Sequence, residues 1–309
     1  MAARGGGEGA DGGSMADLFT VAIIGSGPAG LSAGAHAAKL GVSHILLERT
    51  DHASDTIFKY QKGKLVMSTP DVLPLRADVS FKMGQREEVL DTWNQGLQQH
   101  KVNIRYNAEV VGVKGQKGNF EITLKDKSVV QAENVVLAIG LQGNLNKLTC
   151  PGAELPHVQY QLDDPDEYEG ETIVVVGAGD AAIENAVALT KQNTVIIINR
   201  SGEFARAKQG NLDLIHKALE RGAMECYYNA SPIKVAAKAL TLKVPDGEVE
   251  VVCDRIIARL GATAPRKFVE SCGIVFPSAA ATALPEVSPT YESNVPGLHI
   301  IGALGGYPL

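Results

Sequence analysis

The chain has 309 residues, of which 45% are hydrophobic and 21% charged, with a net charge of −6. That length accommodates two ordinary hydrophobic cores, and an acidic balance with no basic run excludes a dedicated nucleic-acid binder. No apolar stretch approaches the ~20 residues of a bilayer-spanning helix, so no membrane partner is expected.

Residues 1–16 read as a disordered leader of Gly, Ala and acidic residues, with Met15 as a second candidate start. They lack the charged start and apolar middle of a signal peptide, and the expected location is cytoplasmic. A strand is predicted at 20–25, a helix from Pro28 to Leu40 ended by Gly41, and a strand at His44–Glu48. A helix follows near 84–100, with Val89, Trp93 and Leu97 on one face. Strand-like segments then fill 102–139, including 128–131 and, separately, 134–140.

The same order recurs. A strand at 172–177, a helix near 180–191 and a strand at 194–199 make a second β-α-β unit, followed by a helix near 209–221. A hairpin of 239–243 with 248–252 turns at Pro245-Asp246-Gly247, and the strand 255–261 closes the unit. A last strand, Leu298–Ile301, ends on Gly302 and is free to return to the first sheet.

Both units carry a glycine turn between strand and helix. The first is Gly25-Ser26-Gly27-Pro28-Ala29-Gly30 and the second Gly177-Ala178-Gly179-Asp180-Ala181-Ala182. Such turns present bare backbone N–H groups and a helix N-terminus to a pyrophosphate. One turn alone is a weak signal, whereas two in matching contexts imply two dinucleotides. At the end of the second strand of the first unit stands Glu48, an acceptor for ribose hydroxyls that repels a 2′-phosphate and suits FAD or NAD. The equivalent position in the second unit is Asn199, followed by Arg200, Arg206 and Lys208. Cations in place of the acid suit a 2′-phosphate, and NADPH is expected there rather than NADH.

With these motifs, the chain resembles the thioredoxin-reductase-like flavoproteins from about Leu18 to Leu309. The strand end Ala138-Ile139-Gly140, the segment Leu260–Pro265 and the segment Pro296–Gly302 carry the likeness further. The resemblance implies an α/β fold of two Rossmann-like dinucleotide-binding domains, each ββα with a small antiparallel meander. The NADP domain (151–290) is inserted in the FAD domain (17–150, continued by 291–309), and the protein is a homodimer. It also implies FAD contacts at Gly25, Ser26, Gly27, Pro28, Ala29, Gly30, Glu48, Arg49, Lys59, Val110, Ala138, Gly140, Gly302 and Ala303. NADP contacts are implied at Gly177, Ala178, Gly179, Asp180, Ala181, Asn199, Arg200, Ser201, Arg206 and Gly261.

Three departures shape the functional expectation. Neither 159–170 nor 49–66 contains the Cys-x-x-Cys pair through which such enzymes reduce disulfides, so no thiol relay operates. Gly302 is followed by Ala303 where the family has aspartate, a feature of bacillithiol-disulfide-reductase-like members and of relatives fused to cyclic-nucleotide-binding domains. Ala29 replaces the cysteine that bacillithiol-type members often carry. Finally, the chain stops where the family continues into a helix, which suggests a truncated piece with weakened FAD binding.

The expected function is an FAD-dependent oxidoreductase that oxidises NADPH and serves an unidentified small-molecule or small-protein acceptor. A regulatory nucleotide-binding module and a flavin monooxygenase stand as alternatives. Cys150, Cys226, Cys253 and Cys272 are expected to be free thiols, and no metal site is expected. Cys150 is read as a linker residue, Asp180 as a helix cap, and His52 and His157 as unselected proton donors.

Overall fold

A computed structural model describes residues 18–66, 77–141 and 143–307; the expected leader lies outside these residues. The apolar run Leu18–Ile24 forms a strand at the centre of a seven-stranded sheet. His44–Leu47 pairs parallel to it on one side and Val129–Leu137 on the other, with Ile104–Arg105 beyond His44–Leu47. Its buried residues face two cores, one per sheet face, as expected of a strand covered on both sides. The helix Pro28–Lys39 starts on proline, whose missing N–H is an orphan there anyway, and the chain leaves it through Gly41 at φ +68°. The helix Arg86–Gln99 buries Val89, Trp93 and Leu97 against the same face.

The strands expected separately at 128–131 and 134–140 are one strand, Val129–Leu137. Its first residues pair antiparallel with Asn119–Leu124, and its last pair parallel with Leu18–Ile24. Glu133 and Asn134 do not break it, because the Glu133 carbonyl accepts from Gly118 N–H and the Asn134 amide donates to the Thr20 carbonyl. The tail strand Leu298–Ile300 pairs with Val135–Leu137 and so completes the first sheet.

The second sheet has five parallel strands in the order Glu225–Tyr227, Thr194–Ile198, Thr172–Val176, Arg255–Ala258, Val158–Gln159. The hairpin at 239–252 forms as read, with Ser231–Ala236 added as a third strand. Pro232 and a register shift after it hide that strand's alternation.

The domain boundary expected at 290 needs correction. Ala264, Val269, Cys272, Ile274 and Phe276 pack into the first sheet's core beside Phe120 and Leu298. The short helix Arg266–Ser271 lies on the strand Val110–Gln116, so the chain has already returned to the first half by Ala264. The two crossings between halves lie side by side: Leu145 bridges Ala262, Asn146 N–H donates to Gly261, and Thr263 N–H donates to Asn144. Among the described residues no helix is long and apolar enough to cross a membrane.

Candidate active site

The three glycines of the first turn do different jobs. A Cβ on Gly25, at φ +97°, would lie 2.8 Å from the Ala138 carbonyl oxygen, and one on Gly30 would lie 1.9 Å from the Gly25 oxygen. Both are therefore fixed by close packing of helix on strand. A Cβ on Gly27 would meet no protein atom within 4 Å, because Gly27 faces an open cleft. The second turn repeats the division: a Cβ on Gly177, at φ +136°, would lie 2.3 Å from the Arg259 carbonyl oxygen, whereas one on Gly179 would meet nothing within 4 Å. Each turn thus leaves its middle backbone bare toward the cleft, the fit a pyrophosphate needs.

Both turns line one cleft of about 1190 Å³. Gly25, Ser26, Gly27, Pro28 and Ala29 form its wall on the first side, with Glu48, Arg49, Val110, Ala138 and Gly140 alongside. Gly302 and Ala303 close it from the tail, a Cβ on Gly302 falling 2.8 Å from the Ala29 methyl group. Gly179, Asp180, Ala181, Arg206 and Gly261 reach the same cleft from the second half. Gly30, Gly177 and Ala178 stand behind the turns rather than on the cleft wall. Lys59 also stays off the wall and pairs with Asp55 at 2.9 Å.

Glu48 is 5% exposed and fully engaged. One carboxylate oxygen accepts from Ser26 N–H at 3.0 Å and Ser26 Oγ at 2.5 Å, and the other from Thr50 N–H and Oγ1, both at 3.0 Å. A carboxylate offers about four lone-pair sites, so a ribose hydroxyl must displace one of the two side-chain hydroxyls. Glu48→Ala is expected to lower stability by about 2–3 kcal/mol, since it strands the buried Ser26 N–H and the half-buried Thr50 N–H. Thermal melts of wild type and variant check this. Nearby, Arg49 at 3.1 Å, Lys59 and His52 converge on Asp55. Burial pushes the Asp55 carboxyl up, but the Lys59 and Arg49 bonds outweigh it and hold it below the ordinary carboxylate range.

Asn199 is buried and turned inward. Its amide donates to the Glu203 carbonyl at 2.9 Å and its oxygen accepts from Ser201 N–H at 2.9 Å. It shapes the loop that carries Arg200 and Ser201, none of which reaches the cleft wall, whereas Arg206 and Lys208 do. Asp180 is no cap. Gly179 occupies the cap position, and Asp180 accepts from Lys208 N–H at 2.8 Å and the Asn211 amide at 2.7 Å, tying the second turn to the helix Gln209–Glu220.

A polar cluster that sequence reading did not assemble occupies the cleft between the halves. Lys64 meets Glu184 at 2.7 Å and lies 4.0 Å over the Tyr60 ring, and Arg259 donates through Nη1 to the Tyr160 carbonyl at 2.7 Å. The buried Arg259 Nε has no partner among the described residues. Burial lowers the Arg259 pKa and raises that of Tyr60, with the Glu184 carboxylate adding to the latter. The one sequence signal was a cation at the end of the otherwise apolar run Ile256–Leu260.

The four cysteines are free. None lines the cleft. Burial raises the Cys150 thiol and pushes those of Cys226, Cys253 and Cys272 up to about 11. None is a thiolate at neutral pH.

Residues 22–302 match the family described as pyridine nucleotide-disulphide oxidoreductase. The chain belongs to that family. A ferredoxin–NADP reductase of Levilactobacillus brevis is 26% identical over 305 residues, covering 95% of this chain and 88% of the relative. Bacilliredoxin reductase Bdr of Bacillus subtilis is 23% identical over 291 residues, covering 91% and 88%. Among solved structures, the bacillithiol disulfide reductase Bdr (YpdA) of Staphylococcus aureus superposes with a TM-score of 0.85 at 23% identity, over 93% of this chain and 90% of that one. Membership makes the protein a flavoprotein NAD(P)H oxidoreductase with the two-domain dinucleotide-binding fold, a family that works with FAD and a pyridine nucleotide.

Proposed function

We propose that the chain is an NADPH-oxidising, FAD-dependent reductase serving a small-molecule or small-protein acceptor without a Cys-x-x-Cys relay. The single observation that carries this is the shared cleft, whose walls include the open faces of both glycine turns. When bound, FAD supplies the chemistry, accepting hydride from the nicotinamide and delivering electrons onward.

The chain's own residues bind and orient. The turn from Gly25 to Gly30 would hold the FAD pyrophosphate and Glu48 its adenosine ribose, with Arg49, Val110, Ala138, Gly140, Gly302 and Ala303 walling the pocket. Lys59 would act through Asp55. The turn from Gly177 to Ala181 would hold the NADPH pyrophosphate, with Arg206 and Lys208 on the 2′-phosphate. Asn199, Arg200, Ser201 and Gly261 would shape that side of the site. The names of the relatives, a ferredoxin–NADP reductase and a bacilliredoxin reductase, favour an acceptor of the small redox-protein or thiol-disulfide class. A homodimer in the cytoplasm completes the proposal, on the strength of the family resemblance.

Anaerobic addition of NADPH to the purified FAD-loaded protein is expected to bleach the flavin absorbance within seconds. Bound flavin that stays oxidised would instead support a regulatory module. Cys150→Ser is expected to bleach and reoxidise within about twofold of wild type, since the thiol stands outside the cleft and is protonated at pH 7. A larger loss would restore a thiol to the electron path.

A further inference from the structure

The strand order of the second sheet fixes where a dinucleotide can cross it. From Thr172–Val176 the chain runs outward through Thr194–Ile198 to Glu225–Tyr227, while Arg255–Ala258 and Val158–Gln159 lie on the other side. The direction reverses between Thr172–Val176 and Arg255–Ala258, and nucleotides bind in the crevice at the carboxyl ends of strands that part in this way. Gly177 follows the first of these strands and Arg259 the second. The two are packed together: Arg259 N–H donates to the Val176 carbonyl at 2.7 Å, and the Arg259 carbonyl leaves no room for a Cβ on Gly177. Arg206 and Lys208 reach the cleft from the loop after Thr194–Ile198, the strand on the other side of Gly177. A nucleotide with its 2′-phosphate on those cations and its pyrophosphate on the turn would bring its nicotinamide end toward Arg259.

Arg259 is a cation that the fold leaves without a bonded counter-ion. Its Nε is buried with no partner among the described residues, and Nη1 donates to an uncharged group, the Tyr160 carbonyl, at 2.7 Å. The nearby carboxylates are engaged elsewhere. Glu184 pairs with Lys64 at 2.7 Å and accepts from the Asn211 amide at 3.0 Å, whereas Asp163 is exposed and accepts from the Gln161 amide. Lys64 and Arg259 thus stand against the single carboxylate of Glu184, and the cluster is net positive. Charge held there without a paired carboxylate costs stability that an apolar side chain would not.

We infer that Arg259 makes the nucleotide site of the second turn sensitive to the charge of the nicotinamide ring, favouring the neutral reduced form over the cationic oxidised form. Loss of hydride to FAD turns the neutral ring of NADPH into the cation of NADP+. The guanidinium, protonated at any working pH, repels that cation, so spent nucleotide is expelled and NADPH takes its place. The role needs no direct contact, because it acts through the field of a poorly solvated charge. It rests on the reductase reading above.

The test is an equilibrium titration of the oxidised, FAD-loaded protein with two ligands: NADP+, and tetrahydro-NADP, a redox-inert analogue with a neutral ring. Wild type is expected to bind the neutral analogue at least about tenfold more tightly than NADP+. Arg259→Gln removes the charge and keeps an amide for the Tyr160 carbonyl, so the affinity ratio should fall about tenfold. Part of that change should be a gain in NADP+ affinity, which damage to the fold does not produce. Arg259→Lys keeps the charge and should hold the ratio within about threefold of wild type. Arg206→Ala should weaken both ligands together and leave the ratio unchanged, because both carry the 2′-phosphate. Wild type that binds NADP+ as tightly as the analogue would overturn the role of Arg259. So would a wild-type ratio in Arg259→Gln, or a ratio in Arg259→Lys no different from that in Arg259→Gln. In each of those cases both ligands still bind, and the reductase reading stands. If neither ligand binds the wild type, the second turn is no NADP site and that reading falls as well.

Discussion

Gly27→Val is expected to give a folded protein that no longer retains FAD. The Gly27 backbone, at φ −69° and ψ 178°, suits any residue, and its Cβ would meet nothing in the protein. What the side chain fills is the space where a pyrophosphate approaches bare N–H groups. A loss of at least about 100-fold in FAD affinity, roughly 2.7 kcal/mol, should come with a melting temperature close to that of the apoprotein. Gly30→Ala should do the reverse. Its methyl group falls 1.9 Å from the Gly25 oxygen, so helix and strand must part, at a cost of about 1–3 kcal/mol or more. Gly179→Val, in backbone at φ −90° and ψ 177°, should stay yellow but lose reduction by NADPH. Flavin absorbance after gel filtration, thermal melts and anaerobic titration separate the three. Stoichiometric flavin on Gly27→Val would refute the assignment of the first turn.

The second large effect is on nucleotide choice. Of the cations that follow Asn199, Arg206 and Lys208 are the ones that the structure brings to the cleft. A charge-assisted hydrogen bond contributes about 1.5–3 kcal/mol, so Arg206→Ala should weaken NADPH about 10- to 100-fold and leave NADH nearly unchanged. Lys208→Ala should show the same sign with a smaller size, because a lysine makes no bidentate fork. Arg200→Ala, away from the cleft wall, should change neither nucleotide by more than about twofold. Anaerobic reduction rates with each nucleotide provide the check. An equal loss for NADH and NADPH would assign Arg206 to the pyrophosphate instead.

The parts of this molecule that repeat locally were legible in its sequence. Each glycine turn announces itself between an apolar strand and a helix, and the residues from Val21 to Ile24 and Ile173 to Val176 form the central strands they suggest. What escaped reading depends on residues far apart in the chain. Tyr60, Lys64, Glu184 and Arg259 share no local pattern, and only the closure of the two halves brings them together. Asn199 occupies the ribose position by count, yet its short amide finds Glu203 and Ser201 first. Asp180 offers a carboxylate beside a helix start, but Lys208 N–H and Asn211 claim it. The return of residues 264–276 to the first core was hidden because a six-residue helix and irregular chain carry too weak a periodicity to say which sheet they cover.

The late strand Leu298–Ile300 leaves its mark on how the protein is made. Its place beside Val135–Leu137 stays vacant while a ribosome translates more than half the chain, so the earliest residues to emerge are the last to be sealed. The middle of the polypeptide, with all five strands of its sheet already in hand, is able to settle first. Nascent chains arrested before residue 298 should therefore display a protease-resistant centre flanked by a susceptible beginning.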